Sequence, residues 1–152
     1  SATGFDTTVA NEKSVAREAA RLIHTFADAS APKVTLLTGE AYGSAYLTMN
    51  SGHIGADLVY AWPTASVGMR PAENAVKIIY NDEIDASDDA QGLIAEKAAA
   101  YASLQTSPES AAGRGYVDAV IEPESTRQHL IAAFEMLYSK RVVRPSKKHS
   151  TL

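Results

Sequence analysis

The sequence has 152 residues, an apolar share of 45% and a charged share of 21%, which is ordinary for a globular domain with a buried core. It contains no cysteine, so disulfides, thiolate metal sites and cysteine nucleophiles are excluded. Its net charge of −4 gives no reason to expect nucleic acid or an anionic membrane as a partner. No apolar run is long enough to span a bilayer, and the expected compartment is the cytosol.

The first third of the chain predicts a helix followed by a strand. Apolar residues recur every three or four positions over residues 14–29, which predicts a helix with Ser14 as its N-cap. The β-branched, apolar run at 33–38 predicts a buried strand. Gly39 and Glu40 then predict a tight turn.

Strands and helices keep alternating in the rest of the chain, which indicates an α/β fold with a largely buried sheet. The last twelve residues, 141–152, form a polar tail. The predicted elements are, in order, a short helix at 45–49, strands at 56–62 and 65–69, helices at 71–80 and 88–104, a helical turn from Pro108, a strand at 116–121 and a helix at 123–138.

The predicted sheet is thin for a domain of this composition. No strand precedes the segment SATGFDTT, so the chain is expected to be the later part of a larger domain, incomplete at its N-terminal side. The helices carry more apolar surface than such a sheet can cover. This surface comes from Leu22, Ile23, Phe26 and the apolar faces of 88–104 and 128–138. We therefore expect the chain to self-associate.

Few side chains suggest catalysis. His24, His53, His129 and His149 have no ligand partner three or four residues away, so no metal site is predicted. The sequence contains neither a G-x-S-x-G nucleophile motif nor a glycine-rich phosphate loop. Ser44 lies in a Gly-Ser-Ala segment, but the sequence indicates no histidine partner that would make it a nucleophile.

The remaining chemistry is that of the backbone. The stretch AYGSAYLTMN, residues 41–50, places small residues between two tyrosines where a strand is expected to turn into a helix. At such a junction consecutive N–H groups point outward at the positive end of the helix dipole. A pair of these groups can stabilise negative charge on a carbonyl oxygen, worth about 3–4 kcal/mol per donor. Many ordinary turns share the pattern, so it does not identify a function by itself.

Longer stretches carry a resemblance to a known family. The segment AYGSAYLTM, together with GADLVYAWPTA at 55–65 and GRGYVDAVIEPESTRQHLIAAFEMLYSKRVVRPSKKH at 113–149, resembles the carboxyltransferase component of biotin-dependent acyl-CoA carboxylases and decarboxylases. The resemblance is collinear and covers nearly the whole chain. It implies a crotonase-like α/β fold. It also implies that residues 1–140 are part of the C-terminal, biotin-side domain, followed by the tail at 141–152.

The resemblance also implies a site. The backbone amides of Ser44 and Ala45 fall on the oxyanion hole that binds the biotin ureido oxygen, with Gly43 and Tyr46 beside them, and Leu47 falls on a position that contacts the acyl group. The implied activity is carboxyl transfer between carboxybiotin, delivered by a biotin carboxyl carrier, and an acyl-CoA bound mainly by another half of the enzyme. The implied assembly is a homo-oligomer, and no metal or side-chain base is implied.

Two departures from the family pattern leave alternatives open. Ser44 stands where the family has a second glycine and would resist a positive φ. At 70–75, Pro71 and Asn74 replace two more family glycines, and Pro71 removes a backbone donor. One alternative is therefore a non-catalytic module for assembly or carrier docking. Another is a crotonase-type hydratase that uses Glu73 as acid or base, which requires Glu73 to lie in a cleft with a raised pKa.

Overall fold

The structure is a computed structural model that describes residues 1–6 and 8–143. The predicted tail at 141–152 therefore lies outside the described residues from 144 onward, as does His149. In the described part, no helix has the length and apolarity to cross a bilayer. The helices are α1 (Val9–Glu12), α2 (Val15–Asp28), α3 (Gly43–Thr48), α4 (Ala72–Ile79), α5 (Asn81–Asp85), α6 (Ala90–Tyr101), α7 (Pro108–Gly113) and α8 (Thr126–Met136), and the strands are β1 (Val34–Leu37), β2 (Glu40–Tyr42), β3 (Leu58–Ala61), β4 (Ser66–Gly68) and β5 (Ala119–Val120).

The strands form two parallel sheets, which confirms the predicted α/β class. The larger sheet has the order β1-β3-β5, with Val34 opposite Leu58. The smaller sheet pairs β2 with β4, and the N-terminal segment extends it through a parallel bridge between Ala2 and Ala41. Parallel strands need helical or long connections between them, and helices α3, α4, α6 and α7 lie on those connections.

The alternation of side chains along β3 divides the core into two clusters. Val59 and Ala61 face a cluster that joins residues of both sheets, whereas Tyr60 faces the opposite side, where Ile121 and Ala133 pack against it. The first cluster packs the two sheets against each other, and the second packs α8 against the larger sheet. The first cluster consists of Leu37, Ala41, Tyr46, Val59, Ala61, Ala65, Val67, Ala111 and Val117.

Several predicted boundaries were wrong for local reasons. Glu40 begins β2, which has only three residues and is too short to show a period in sequence. The strand predicted at 116–121 is confined to Ala119 and Val120, because the Val59 N–H donates to the Asp118 carboxylate at 2.7 Å before the ladder begins.

Helix boundaries also differ from the prediction. The helix predicted at 88–104 ends at Tyr101 and continues as a π-helical segment over Ala102–Thr106. The Ser14 side chain does not cap α2, because the short helix α1 precedes it and the Ser14 hydroxyl donates to the Asn11 carbonyl. Helices α1 and α5 were not predicted, and each has no more than five residues.

Self-association was predicted because three helices were expected to expose apolar faces. The structure covers one of these faces. Helix α6 packs against α4 and buries Ile94 and Ala98, so that face is covered within the chain. On α8, by contrast, Ile131 and Phe134 remain about half exposed. On α2 no residue is buried and Leu22 is 37% exposed, so of the three predicted faces only that of α6 is covered within the described residues.

An ion pair joins the chain after α8 to the larger sheet. The Lys140 Nζ lies 2.8 Å from the Asp57 carboxylate, and only 16% and 20% of these two side chains is exposed. The Lys33 N–H donates to the same carboxylate at 2.7 Å. Burial alone would raise the pKa of Asp57, but the hydrogen bonds from Lys140 and Lys33 outweigh it and lower that pKa.

Asp57→Asn is expected to lower the free energy of unfolding by about 1–2 kcal/mol at neutral pH, since it weakens two hydrogen bonds to a charged group. A folded-state pKa below the unfolded value of about 3.9 means that the stabilisation is present above about pH 4 and is lost as the pH falls through the folded-state pKa. The difference between wild type and variant, measured by urea unfolding, should therefore shrink in acid. Glu18→Gln, in an exposed pair with Arg21, is the control and should change stability by less than about 0.5 kcal/mol. A difference that stays constant down to pH 3 would contradict this account.

Candidate functional site

Gly43 forms the junction at which β2 turns into α3. Its φ is +58°, in the left-handed region that side chains rarely adopt. A Cβ at this position would also lie 3.2 Å from the Met69 carbonyl oxygen. Tyr42 of β2 pairs in parallel with Gly68 of β4, and this pairing places Met69, the next residue after Gly68, against the turn. Conformation and close approach together require glycine at position 43.

Ser44 is compatible with this turn. The left-handed conformation lies at Gly43 and not at Ser44, and among the described residues Asn50 is the only non-glycine with a positive φ. The side chain of Ser44 is exposed. Within the described ranges, the structure shows no hydrogen bond between the Ser44 hydroxyl and a histidine. The serine that replaces a family glycine therefore leaves the backbone path of the turn intact.

The backbone amides of Ser44 and Ala45 are adjacent in the first turn of α3. N–H groups in a first helical turn have no intrahelical acceptor, and no side chain caps this helix. Among the described residues, no loop or cap hydrogen bond uses either amide. Ala45 is buried, whereas Ser44 lies at the surface. The turn thus has two neighbouring amide donors, one on a surface residue and one on a buried residue, for which the described residues provide no loop or cap acceptor.

Hydrogen bonds beyond the turn fix α3 in place. The Thr48 hydroxyl donates to the Ser44 carbonyl at 2.7 Å, a hydrogen bond that links the last residue of α3 to its first turn. Where the helix ends, Asn50 adopts a left-handed conformation and its carbonyl accepts from the Thr35 hydroxyl at 2.6 Å. Because Thr35 belongs to β1, the position of the two amides is tied to the larger sheet.

A cavity of about 520 Å³ adjoins the turn. Gly43, Tyr46 and Leu47 line it together because residues three and four positions apart share one face of a helix. Ser44 and Ala45 do not line it. The structure therefore places three of the predicted site residues on the cavity wall and the two amide donors beside it. The other lining residues are His53, Val67, Gly68, Met69, Tyr101, Gln105, Thr106, Ala111, Arg114 and Tyr116.

Sequence reasoning missed the far wall of this cavity. The His53 ring packs edge-on against Tyr116, with ring centroids 4.9 Å apart, and against Tyr46 at 6.4 Å. Arg114 donates to the backbone carbonyls of Leu104 and Gln105 at 3.3 and 3.2 Å, which fixes the π-helical segment at the cavity. No motif links these positions, so the sequence carries no signal for them.

The Tyr46 hydroxyl is buried and has no hydrogen-bond partner among the described residues. Burial raises the pKa of Tyr46, so the phenol remains protonated at neutral pH. Tyr46 belongs to the first core cluster and also lines the cavity. The residue therefore couples the packing of the core to the shape of the site.

Residues 70–75, where Pro71 and Asn74 replace two glycines of the family pattern, do not line the cavity. Pro71 precedes α4, and its carbonyl accepts from the N–H groups of Asn74 and Ala75, both at 3.1 Å. Glu73 is exposed and does not line the cavity. A hydratase would need this carboxylate in a cleft, so the geometry gives that alternative no support.

Comparisons with known proteins agree with this geometry. Residues 1–152 match the family described as the carboxyl transferase domain. The chain is 44% identical over 138 residues to the propionyl-CoA carboxylase carboxyltransferase subunit of Haloferax mediterranei, covering 91% of this chain and 27% of that protein. It is 42% identical over 135 residues to the methylmalonyl-CoA carboxyltransferase 12S subunit of Propionibacterium freudenreichii subsp. shermanii, covering 89% and 26%.

A solved structure shows the same fold. The transcarboxylase 12S crystal structure with methylmalonyl-coenzyme A bound superposes with a TM-score of 0.92 and 40% identity, covering 98% of this chain and 29% of that one. The chain spans about a quarter of the length of the relatives that it matches. The crotonase-like fold and the family resemblance predicted from the sequence are both confirmed. The chain belongs to the carboxyl transferase domain family.

Proposed function

We propose that this chain supplies the biotin-side oxyanion turn of a biotin-dependent acyl-CoA carboxyltransferase. The observation that carries the proposal is the left-handed Gly43, which turns β2 into α3 and leaves the Ser44 and Ala45 amides side by side, with no acceptor among the described residues. Membership of the carboxyl transferase domain family supports it. The corresponding domain is residues 1–140, as the C-terminal, biotin-side part of a longer enzyme.

The residues present fit a ureido group. Two adjacent N–H donors match a single carbonyl oxygen that gains negative charge. Among the described residues, no carboxylate lines the neighbouring cavity to oppose that charge. When bound, carboxybiotin on its carrier supplies the carboxyl group. The amides of Ser44 and Ala45 then hold the ureido oxygen and stabilise the charge on it. Because this contribution comes from backbone fixed by Gly43 and by the Thr35–Asn50 contact, it requires no titrating side chain.

Activity requires acyl-CoA and a biotin carboxyl carrier as partners, and the test is a transfer assay. The complete enzyme that contains this chain, mixed with carboxylated carrier and a panel of acyl-CoAs, should transfer the carboxyl group to at least one of them. Among the alternatives, a non-catalytic assembly or docking module would bind the carrier without any transfer. Carrier binding with no transfer to any acyl-CoA would therefore reject the enzymatic proposal in favour of that module.

Leu47 is proposed to set acyl preference, because it lies half-buried on the cavity wall next to the turn. Leu47→Ala should change the ratio of kcat/KM between propionyl-CoA and acetyl-CoA by about tenfold, the size expected when a hydrophobic pocket loses methylene contacts. The matched control is Leu104→Ala, because Leu104 is 67% exposed and does not line the cavity. If the kcat/KM ratio is unchanged in Leu47→Ala, Leu47 does not determine acyl preference.

We also propose that the chain forms a homo-oligomer. The similar transcarboxylase 12S protein is a hexamer in its crystal structure, and half-exposed apolar side chains on α8 provide surface for association here. Sedimentation at micromolar concentration should show a species larger than a monomer, and a clean monomer would contradict the proposal. The cytosolic location remains a prediction from the sequence.

A further inference from the structure

An apolar groove of about 1040 Å³ runs along α8 beside Trp62. Four apolar or aromatic residues that line it on the helix side are Leu130, Ile131, Phe134 and Tyr138. Ile131 is 49% exposed, Phe134 is 48% exposed and Tyr138 is 85% exposed. The Trp62 indole N–H already donates to the Thr126 hydroxyl at 2.9 Å, so its polar group is satisfied within the chain. What the groove offers a partner is mainly apolar surface.

Two charged residues on this groove lie at the unfavourable ends of their own helix. Arg127 is in the first turn of α8 and Glu135 is in the last, and both line the groove. Helix dipoles favour acidic groups at the N-terminus and basic groups at the C-terminus, the reverse of this arrangement. Among the described residues, neither side chain forms a salt bridge. An external partner of opposite polarity would offset both charges.

The two charges are placed symmetrically along the helix. Arg127 is four residues before Ile131 and Glu135 is four residues after it, about 6 Å in each direction along the axis. A second α8 running antiparallel across Ile131 would therefore bring each Arg127 opposite the Glu135 of the other copy. Glu124 and Tyr138, which also line the groove, are seven residues on either side of the same centre.

We propose that this groove binds the same groove of a second copy of the chain, with the two α8 helices antiparallel and Ile131 on the two-fold axis. An isologous interface requires a surface that complements itself, and the exchange of Arg127 with Glu135 about an apolar centre meets that requirement. The inference rests on the proposed self-association and is independent of the chemistry of the turn.

A cysteine on the axis tests the geometry directly, because the chain has no native cysteine. Helices that cross about 8–10 Å apart bring the central Cα atoms to roughly 4–5 Å, within the range of a disulfide. Ile131→Cys should therefore give a covalent dimer under mild oxidation. The control is Met136→Cys, since Met136 is 64% exposed and lies outside the groove. Its two copies would be about 15 Å apart along the axis and should remain unlinked.

Charge reversal provides the second test. Arg127→Glu and Glu135→Arg should each raise the dimer dissociation constant at least tenfold in low salt, and the double variant should return it to within about threefold of wild type. Sedimentation equilibrium measures all four proteins, and circular dichroism checks that each is folded. Association of the wild type without cross-linking of the Ile131→Cys variant, or without rescue in the double variant, would reject this interface while leaving self-association intact. A wild-type chain that stays monomeric would overturn both proposals, and the transfer assay would still test the turn separately.

Discussion

Ala45→Pro is expected to lower kcat/KM of the complete carboxyltransferase by about 10²–10³-fold, the effect of losing one oxyanion donor. Proline has no N–H, so the substitution deletes one of the two proposed contacts to the ureido oxygen. Position 45 is in the first turn of α3, where the N–H has no intrahelical acceptor and its loss breaks no helical hydrogen bond. The measurement is the initial rate of transfer from carboxylated carrier, together with a melting curve that establishes folding.

Ser44→Gly is the matched control for this experiment. It removes the side chain but retains the N–H, and the left-handed φ at the neighbouring Gly43 does not depend on it. Activity should stay within about tenfold of wild type, a change in activation free energy of roughly 1.4 kcal/mol or less. Loss of turnover in folded Ser44→Gly would show that the hydroxyl acts directly. An active Ala45→Pro enzyme would show that the Ala45 amide is not a donor to the reacting group.

Gly43→Ala should both destabilise the protein and nearly abolish transfer. A side chain at φ +58° costs about 1–2 kcal/mol, and the contact of a new Cβ with the Met69 carbonyl at 3.2 Å adds to that cost. If the turn relaxes to relieve the strain, the Ser44 and Ala45 amides move with it, and a displacement near 1 Å is enough for about a 10²-fold loss in rate. Urea unfolding and the transfer assay measure the two effects.

Alanine substitutions at two other glycines distinguish the cost of the left-handed conformation from the cost of the contact with Met69. Gly115 also has a positive φ, +78°, but a Cβ there would meet no atom within 4 Å. Gly113 has neither a positive φ nor a close neighbour. The expected order of destabilisation on changing to alanine is Gly43, then Gly115, with Gly113 unchanged or more stable. Equal effects at Gly43 and Gly115 would show that the Met69 contact contributes nothing.

The sequence alone determined the class of the fold and most of its elements. Residues 14–29, 33–38 and 56–62 have strong helical or strand patterns, and α2, β1 and β3 lie within them. The small residues at 43–45 also marked the turn, because their lack of bulk is visible without coordinates. A pattern within one segment is local information, and these features depend mainly on such information.

Only the tertiary structure decided which residue of the turn takes the left-handed conformation and what surrounds it. Gly43 requires glycine because Met69, on the chain after β4, comes within reach of it, and the sequence does not reveal that approach. His53, Arg114 and Tyr116 meet at the cavity although they are up to 63 residues apart. Their convergence follows from the pairing of strands and the packing of helices, which are long-range contacts with no periodic signature in the sequence.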